Sequence, residues 1–203
     1  MKSAVFGGTF DPVHNGHLHL LEFVITQQLA ERIFVIPTRI PPHKEYRARV
    51  SDNERLAMLS LALDELRSRL KHEVQVDLVI EECELQRQGP SYMYDTVCYL
   101  RKKYQVAERI GIIIGTDLVA ELDRWHRYDE LRELVDFFVV KRGQELSAEM
   151  VAKYQITLFD NPVLEISSSA IRSSLVAGEI EKVSSFLPES VVHYIQDHGL
   201  YCT

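Results

Sequence analysis

The sequence predicts an α/β fold built on a parallel sheet with helices on both faces, and three stretches predict it. Ala4-Val5-Phe6 is an apolar run stopped by Gly7-Gly8, and Arg32-Ile33-Phe34-Val35-Ile36-Pro37 is a β-branched and aromatic run ended by proline. A helical pattern lies between them, so strand, helix and strand follow within about 35 residues, the βαβ unit that makes strands run parallel. Arg109-Ile110-Gly111-Ile112-Ile113-Ile114-Gly115 is the most apolar strand of the chain. Such a run suits a central strand covered on both faces.

Composition bounds what this fold can do. With 203 residues, 46% hydrophobic and 26% charged, the chain fits one well-filled domain spanning residues 1–203. No run of about 18 apolar residues occurs, so no membrane span is expected. Met1 to Phe6 enters the first strand directly, leaving no room for a signal peptide, and a cytoplasmic protein is expected. Cys83, Cys98 and Cys202 are odd in number and lack CxxC spacing, which argues against disulfides or a zinc site. A formal charge of −7 speaks against nucleic-acid binding. Any anionic ligand must therefore meet a local basic pocket.

Taken in order, the first strand ends where Gly7 and Gly8, lacking Cβ atoms, let a ligand approach the backbone. Asn15 is a good N-cap, and Leu18, Leu21 and Ile25 follow with helical spacing. A helix N-terminus is a ready phosphate site, and His14 and His17 flank it, three residues apart. After the second strand, Pro41-Pro42 forces a loop at the carboxyl end of a parallel strand, where open α/β sheets bind ligands. Ser51-Asp52-Asn53-Glu54 is a capping box opening a helix through about Arg69. Its Leu56, Leu59, Leu63, Leu66 and Leu70 form a core-facing stripe. Residues 74–80 read as a third strand.

Gly89-Pro90-Ser91-Tyr92-Met93-Tyr94-Asp95-Thr96 is a turn running into a helix that carries Val97, Leu100 and Tyr104 inward. The central strand ends in Gly115-Thr116-Asp117. That carboxylate suits either a ribose contact or the cap of the next helix. Trp125 stands among Asp123, Arg124, His126 and Arg127, a polar setting that suggests an exposed stacking platform. Phe137 to Val140 is a further strand, followed by Lys141-Arg142-Gly143 at the ligand edge. Ser167-Ser168-Ser169 reads as a helix cap, and Pro188-Glu189 opens a last helix through Ile195.

Several of these stretches together resemble a known family. Gly8-Thr9-Phe10-Asp11-Pro12 with His14-Asn15-Gly16-His17 looks like the GTFDP…HxGH signature of the nucleotidyltransferase superfamily. Ile166-Ser167-Ser168 with Ile171-Arg172 resembles its second signature, ISSxxIR. Pro41-Pro42-His43-Lys44, the PSYxxDT segment from Pro90, the GxD at Gly115 and the tryptophan turn extend the likeness over nearly the whole chain. They are similar to the bacterial nicotinate-nucleotide adenylyltransferases. In one departure, Met93 stands where that family commonly has threonine. Lys141-Arg142-Gly143 also lacks the proline of the family's turn.

The resemblance implies a Rossmann-like domain with a small helical C-terminal part from about residue 167. It implies transfer of the adenylyl group of ATP to nicotinate mononucleotide, giving deamido-NAD and pyrophosphate, with Mg2+ on the phosphates and no protein metal ligands. Catalytic roles fall to His14, His17, Lys44 and Arg172. ATP contacts fall to Gly7, Gly8, Thr9, Phe10, His14, His17, Gly115, Asp117, Ile166, Ser167, Ser168, Ser169 and Arg172. Acceptor contacts fall to Thr9, Lys44, Ser91, Tyr92, Met93, Asp95, Trp125, His126 and Arg142. Tyr92, Met93, His126 and Arg127 also keep backbone N–H groups for a nicotinate carboxylate. The chemistry needs no general base, because the acceptor phosphate is already ionised; it needs donors that hold two anions in line. Two alternatives remain: pantetheine-phosphate adenylyltransferase, which shares both signatures, and a nucleotide-sensing module without catalysis.

Overall fold

The computed structural model describes residues 1–42, 48–70, 75–143 and 145–202. Along the chain, β1 (Ser3–Gly8), α1 (Asn15–Thr26), β2 (Arg32–Pro37), α2 (Asp52–Arg69) and β3 (Asp77–Ile80) alternate. Two helices follow, α3 (Cys83–Gln86) and α4 (Met93–Lys103), and then β4 (Ile110–Gly115). A 3₁₀ segment (Thr116–Arg124) and α5 (Tyr128–Leu134) lead to β5 (Val135–Val140). The rest is α6 (Ala148–Tyr154), β6 (Thr157–Phe159), α7 (Ser168–Val176), α8 (Ile180–Val183) and α9 (Glu189–Asp197).

The strands form one six-stranded sheet in the order β3-β2-β1-β4-β5-β6, and every neighbouring pair is parallel. This is the Rossmann-like order, and the direction of winding reverses between β1 and β4. A crevice therefore opens beyond the carboxyl ends of those two strands. The predicted class and its three supporting strands are what the structure contains.

Strand alternation divides the core between the two faces. Ala4, Phe6, Ile33, Val35 and Ile113 pack with Leu18 and Leu21 of α1, Met58 and Leu59 of α2, Ile171 of α7 and Val191 of α9. Val5, Phe34, Ile112 and Ile114 point the other way, onto Val97 and Leu100 of α4, Leu131 of α5 and Tyr154 of α6. Each such side chain contributes about 1.5–3 kcal/mol by leaving water. Both faces are thus sealed, and only the strand ends are left to carry chemistry.

Some local expectations shift. The first helix is capped by His14, and Asn15 is already helical. Asn15 instead sends its amide to the carbonyls of Ser185 and Leu187, at 3.0 and 3.2 Å. The buried side of α2 is turned by one residue from the predicted stripe. Arg55, Met58, Leu59, Ala62, Leu63 and Leu66 are buried, while Leu56 and Leu70 are only half-buried. The third strand begins at Asp77, and residues 71–74 lie outside the described residues. The sequence reading contained neither α6 nor β6.

Candidate active site

The loop between β1 and α1 is held from several directions. Arg55 is 1% exposed and sends Nη1 to the carbonyls of Thr9 (2.6 Å) and Thr38 (2.8 Å), so the loops leaving β1 and β2 share one anchor. Its Nη2 bonds Asp52 Oδ1 at 2.7 Å. The buried Asp11 carboxylate accepts the Arg49 N–H at 3.0 Å and the Tyr201 hydroxyl at 2.7 Å. Arg172 of α7 donates to the Asp11 carbonyl at 2.6 Å, and the Ser168 hydroxyl donates to the Pro12 carbonyl at 3.1 Å. Phe10 is held at φ 46°, the left-handed region that costs a bulky residue about 1–3 kcal/mol. Its ring meets His17 edge-on with centroids 5.0 Å apart.

The two histidines are stacked, with centroids 3.7 Å apart and planes 24° from parallel. Gly16 makes room for this, since a Cβ there would lie 3.0 Å from His14 Nδ1. The His14 backbone N–H donates to His17 Nδ1 at 3.2 Å. That bond fixes the tautomer, because an N–H donor requires an unprotonated Nδ1; Nε2 of His17 then carries the proton. Burial and the nearby Arg142 lower the pKa of His14 to about 3. Burial, His14 and Arg142 hold His17 well below its ordinary value too. Both rings are therefore neutral near pH 7, and His17 acts as a donor without bringing a charge.

This has a measurable consequence for stability. An unfolded histidine takes up a proton near pH 6.5, whereas native His14 does so only near 3. Between those values the unfolded chain binds more protons, so stability falls as pH falls. The expected slope is about 1.4 kcal/mol per pH unit for each histidine kept neutral. Urea melts at pH 7, 6 and 5 should show wild type losing more stability than His14→Asn. Parallel losses would show that His14 does not resist protonation.

A small cleft of about 30 Å³, open to solvent, runs along this pair and is lined by His14, Gly16, His17, Arg142, Asn161, Pro162 and Ile166 among others. Arg142 and Asp117 approach each other at its edge, with Nη1 4.0 Å from Oδ2. Asp117 lies in the first turn of the 3₁₀ segment and folds back over Gly115, where a Cβ would meet its Oδ1 at 2.2 Å. Gly115 itself caps that segment, so Asp117 is not its cap. Thr116 secures Arg142, its hydroxyl donating to the Arg142 carbonyl at 2.9 Å and accepting the Arg142 N–H at 3.0 Å.

The three serines before Arg172 have partners within the protein. Ser167 caps α7 by accepting the Ala170 N–H at 3.2 Å, Ser168 reaches Pro12, and Ser169 accepts Arg172 Nη2 at 3.1 Å. Ser91 is 7% exposed, and its Oγ accepts the N–H groups of Arg39 and Ile40, both at 3.3 Å. Its hydroxyl is thus used in holding loops together. The turns at Ser91–Met93 and Trp125–His126 do meet: the Tyr92 and His126 rings stack 4.2 Å apart. Met93 reaches across to β1, its Cε lying 3.6 Å from where a Gly7 Cβ would be. Asp95 lies 3.5 Å from Arg87.

Two expectations change here. Trp125 is only partly exposed; it packs on the core beside α4 and α5 and meets Phe137 edge-on at 6.4 Å. The indole is drawn inward because its apolar area outweighs its polar neighbours, whose charged tips reach water over it. Of the four backbone donors, Tyr92 already gives its N–H to the Pro90 carbonyl at 3.1 Å. Lys44 falls within residues 43–47, outside the described residues.

Sequence reading missed several residues that build the cleft. Arg55 was visible as a basic residue on the apolar side of α2, next to Met58, Leu59 and Ala62. Asn161 is 3% exposed and clamps the end of β5, accepting the Lys141 N–H at 2.6 Å and donating to the Lys141 carbonyl at 3.2 Å. A lone Asn before Pro162 carries no distinctive signal. The Asp11–Tyr201 pair spans 190 residues, which no local pattern can show.

Two signature loops converging on the crevice of a parallel sheet define a class, and comparison with known proteins gives the same class. The cytidylyltransferase-like family model matches residues 5–174, and the chain belongs to that family. The nicotinate-nucleotide adenylyltransferase of Bacillus subtilis is 35% identical over 201 residues, covering 98% of both chains. A probable nicotinate-nucleotide adenylyltransferase of Geobacillus thermodenitrificans is 39% identical over 200 residues, 98% of this chain and 86% of that one. Within the family the chain therefore groups with the nicotinate-nucleotide adenylyltransferases, which are nucleotidyltransferases. The same fold is seen in Plasmodium falciparum nicotinic acid mononucleotide adenylyltransferase complexed with NaAD. That structure has a TM-score of 0.81 at 19% identity and covers 99% of this chain and 98% of that one.

Proposed function

We propose that this protein transfers the adenylyl group of ATP to nicotinate mononucleotide, releasing pyrophosphate and forming deamido-NAD. The observation that carries the reading is that the start of α7 is bonded to the loop opening α1, through Ser168 to Pro12 and Arg172 to Asp11, beside a neutral stacked histidine pair. Each N-terminus offers N–H groups and a partial positive charge, so a triphosphate can span both. Because the Ser167 to Ser169 hydroxyls bond within the protein, backbone N–H groups of the α7 first turn would hold the phosphates. Gly7, Gly8, Thr9 and Phe10 would line the same path.

The acceptor phosphate attacks the α-phosphorus in line, with no covalent enzyme intermediate. The nucleophile is already an anion, so the enzyme's task is placement and charge stabilisation. His17 Nε2–H, Arg172, Arg142 and Lys44 would receive charge as it develops on the α-phosphate and leaving pyrophosphate. Among the described residues no cluster of three or more His, Cys, Asp or Glu could hold a metal ion. Mg2+ is proposed to be carried on the phosphates, where it would neutralise pyrophosphate oxygens. The chain would act as one domain over residues 1–203, with the part from about 167 supplying the second phosphate-binding helix. Among the described residues no helix is long and apolar enough to cross a membrane.

Pyrophosphate release from ATP and Mg2+ with a panel of phosphorylated acceptors tests this. Nicotinate mononucleotide should be the efficient one. Use of phosphopantetheine in its place, or binding of ATP without release, would overturn it in favour of the two alternatives.

Asp117 is read as the ribose contact, because it lies at the cleft edge beside Arg142 and is not the cap. Asp117→Asn should raise the KM for ATP by about tenfold, the scale of one hydrogen bond to a charged group, with the acceptor KM nearly unchanged. An unchanged ATP KM in folded protein would remove the ribose contact.

A further inference from the structure

Glu84 lies in the one-turn helix α3 and is 2% exposed. Burying a carboxylate is costly unless its oxygens are bonded, and among the described residues Glu84 Oε2 is buried without a hydrogen-bond partner. Here Oε1 accepts the Thr96 hydroxyl at 2.7 Å, and the Thr96 oxygen also accepts Arg87 Nη2 at 2.7 Å. Burial pushes the Glu84 pKa up, and the nearby Thr96 and Thr38 hydroxyls, the Arg87 guanidinium and the Ser91 hydroxyl pull it back.

Those hydroxyls come from three separate segments. Thr38 follows β2, Ser91 is in the turn before α4, and Thr96 is in the first turn of α4. Further bonds tie the same segments together. The Ser91 N–H donates to the Ile40 carbonyl at 2.9 Å, and Arg87 reaches the Tyr92 carbonyl at 3.4 Å. One link leads toward the ATP side, the Thr38 N–H donating to the Gly8 carbonyl at 2.8 Å. That side keeps its own anchor, since Arg55 holds the Thr9 and Thr38 carbonyls independently of Glu84.

We propose that Glu84 is a positioning residue for the acceptor: through Thr96 it fixes the first turn of α4 and with it the turn carrying Tyr92 and Met93, and so sets acceptor affinity separately from ATP affinity. This rests on the reading of that turn as part of the nicotinate mononucleotide site. Tyr92 stacks on His126 and Met93 lies over Gly7, so displacement of the turn moves both walls of that side of the crevice.

Steady-state rates with nicotinate mononucleotide and ATP varied separately test the proposal. Glu84→Ala should raise the acceptor KM by about tenfold while the ATP KM and kcat change by no more than about twofold to threefold. Glu84→Gln keeps an oxygen for the Thr96 hydroxyl and should recover most of the acceptor KM. An unchanged acceptor KM, an equal rise in both KM values, or a Gln variant no better than Ala would overturn the proposal. Should Glu84→Ala not fold, Thr96→Val removes the donor instead and must show the same selective rise, or the proposal fails. Wild type inactive on nicotinate mononucleotide would defeat the functional reading and this inference together. An active wild type without the selective rise would defeat the inference alone.

Discussion

Replacing His17 by alanine is expected to lower kcat by about 10²-fold or more, the scale of a lost oxyanion donor, with a much smaller change in KM. The His14 N–H occupies Nδ1 of His17 and leaves Nε2–H as the ring's donor. A neutral donor gains little from the ground-state triphosphate and more as charge builds on the α-phosphate. The removed interaction is therefore one made mainly in the transition state. His17→Asn provides the contrast: its amide can still accept the His14 N–H, but it cannot place a donor as far out as Nε2. It should lose activity almost as fully while keeping the helix start intact. A His17→Ala enzyme with wild-type kcat and only a raised KM would remove this residue from the chemistry.

The second large effect concerns the acceptor ring. Nicotinate presents two acceptor oxygens, whereas nicotinamide turns an NH₂ donor toward one of the same places. Tyr92 spends its N–H on Pro90, so the donors left to this reading are Met93, His126 and Arg127. The Tyr92–His126 stack brings these two turns together. An amide against a backbone donor leaves a buried group unpaired, at about 1–3 kcal/mol or more. We expect a preference of at least about 10²-fold in kcat/KM for nicotinate over nicotinamide mononucleotide, about 2.7 kcal/mol. Met93→Thr should leave that ratio nearly unchanged if the contact at 93 is through backbone. Rates with the two mononucleotides at matched ATP decide the matter. Equal efficiency would discard the donor-lined pocket.

What could be read from the sequence follows from what each element depends on. Strands β1, β2, β4 and β5 are buried on both faces, so burial wrote them as apolar runs that any reader finds. The three-residue edge strand β6 has two exposed residues of its three, and nothing in Thr157-Leu158-Phe159 separates it from a loop. The Ser51 cap was legible because it is local chemistry, and the structure has both of its bonds, 2.6 Å from the Ser51 N–H to Glu54 and 3.3 Å from the Glu54 N–H to Ser51 Oγ. The cap at α1 was misplaced by one residue because Asn15 found better partners in a distant loop. The histidines and the two signatures could be placed at helix starts from pattern alone. Their neutrality could not, since it arises from burial and from Arg142, 125 and more positions away in the chain. Trp125 shows the same limit: its neighbours in sequence are polar, but its neighbours in space are Phe137 and the helices beside it.

The Asp11–Tyr201 bond has a consequence for how the molecule is assembled. The loop that begins the chain's first crossover is finished by residues near its far end: Arg172, Ser185, Leu187 and Tyr201 all reach back to Asp11 or Asn15. Contacts of such high sequence separation form late, after the loop-closure entropy of the intervening chain has been overcome. The sheet's central strands, whose pairing partners are nearer in sequence, can form before this corner closes. The geometry of that loop is set by segments 161 to 190 residues downstream, and its closing is expected to follow the pairing of the central strands.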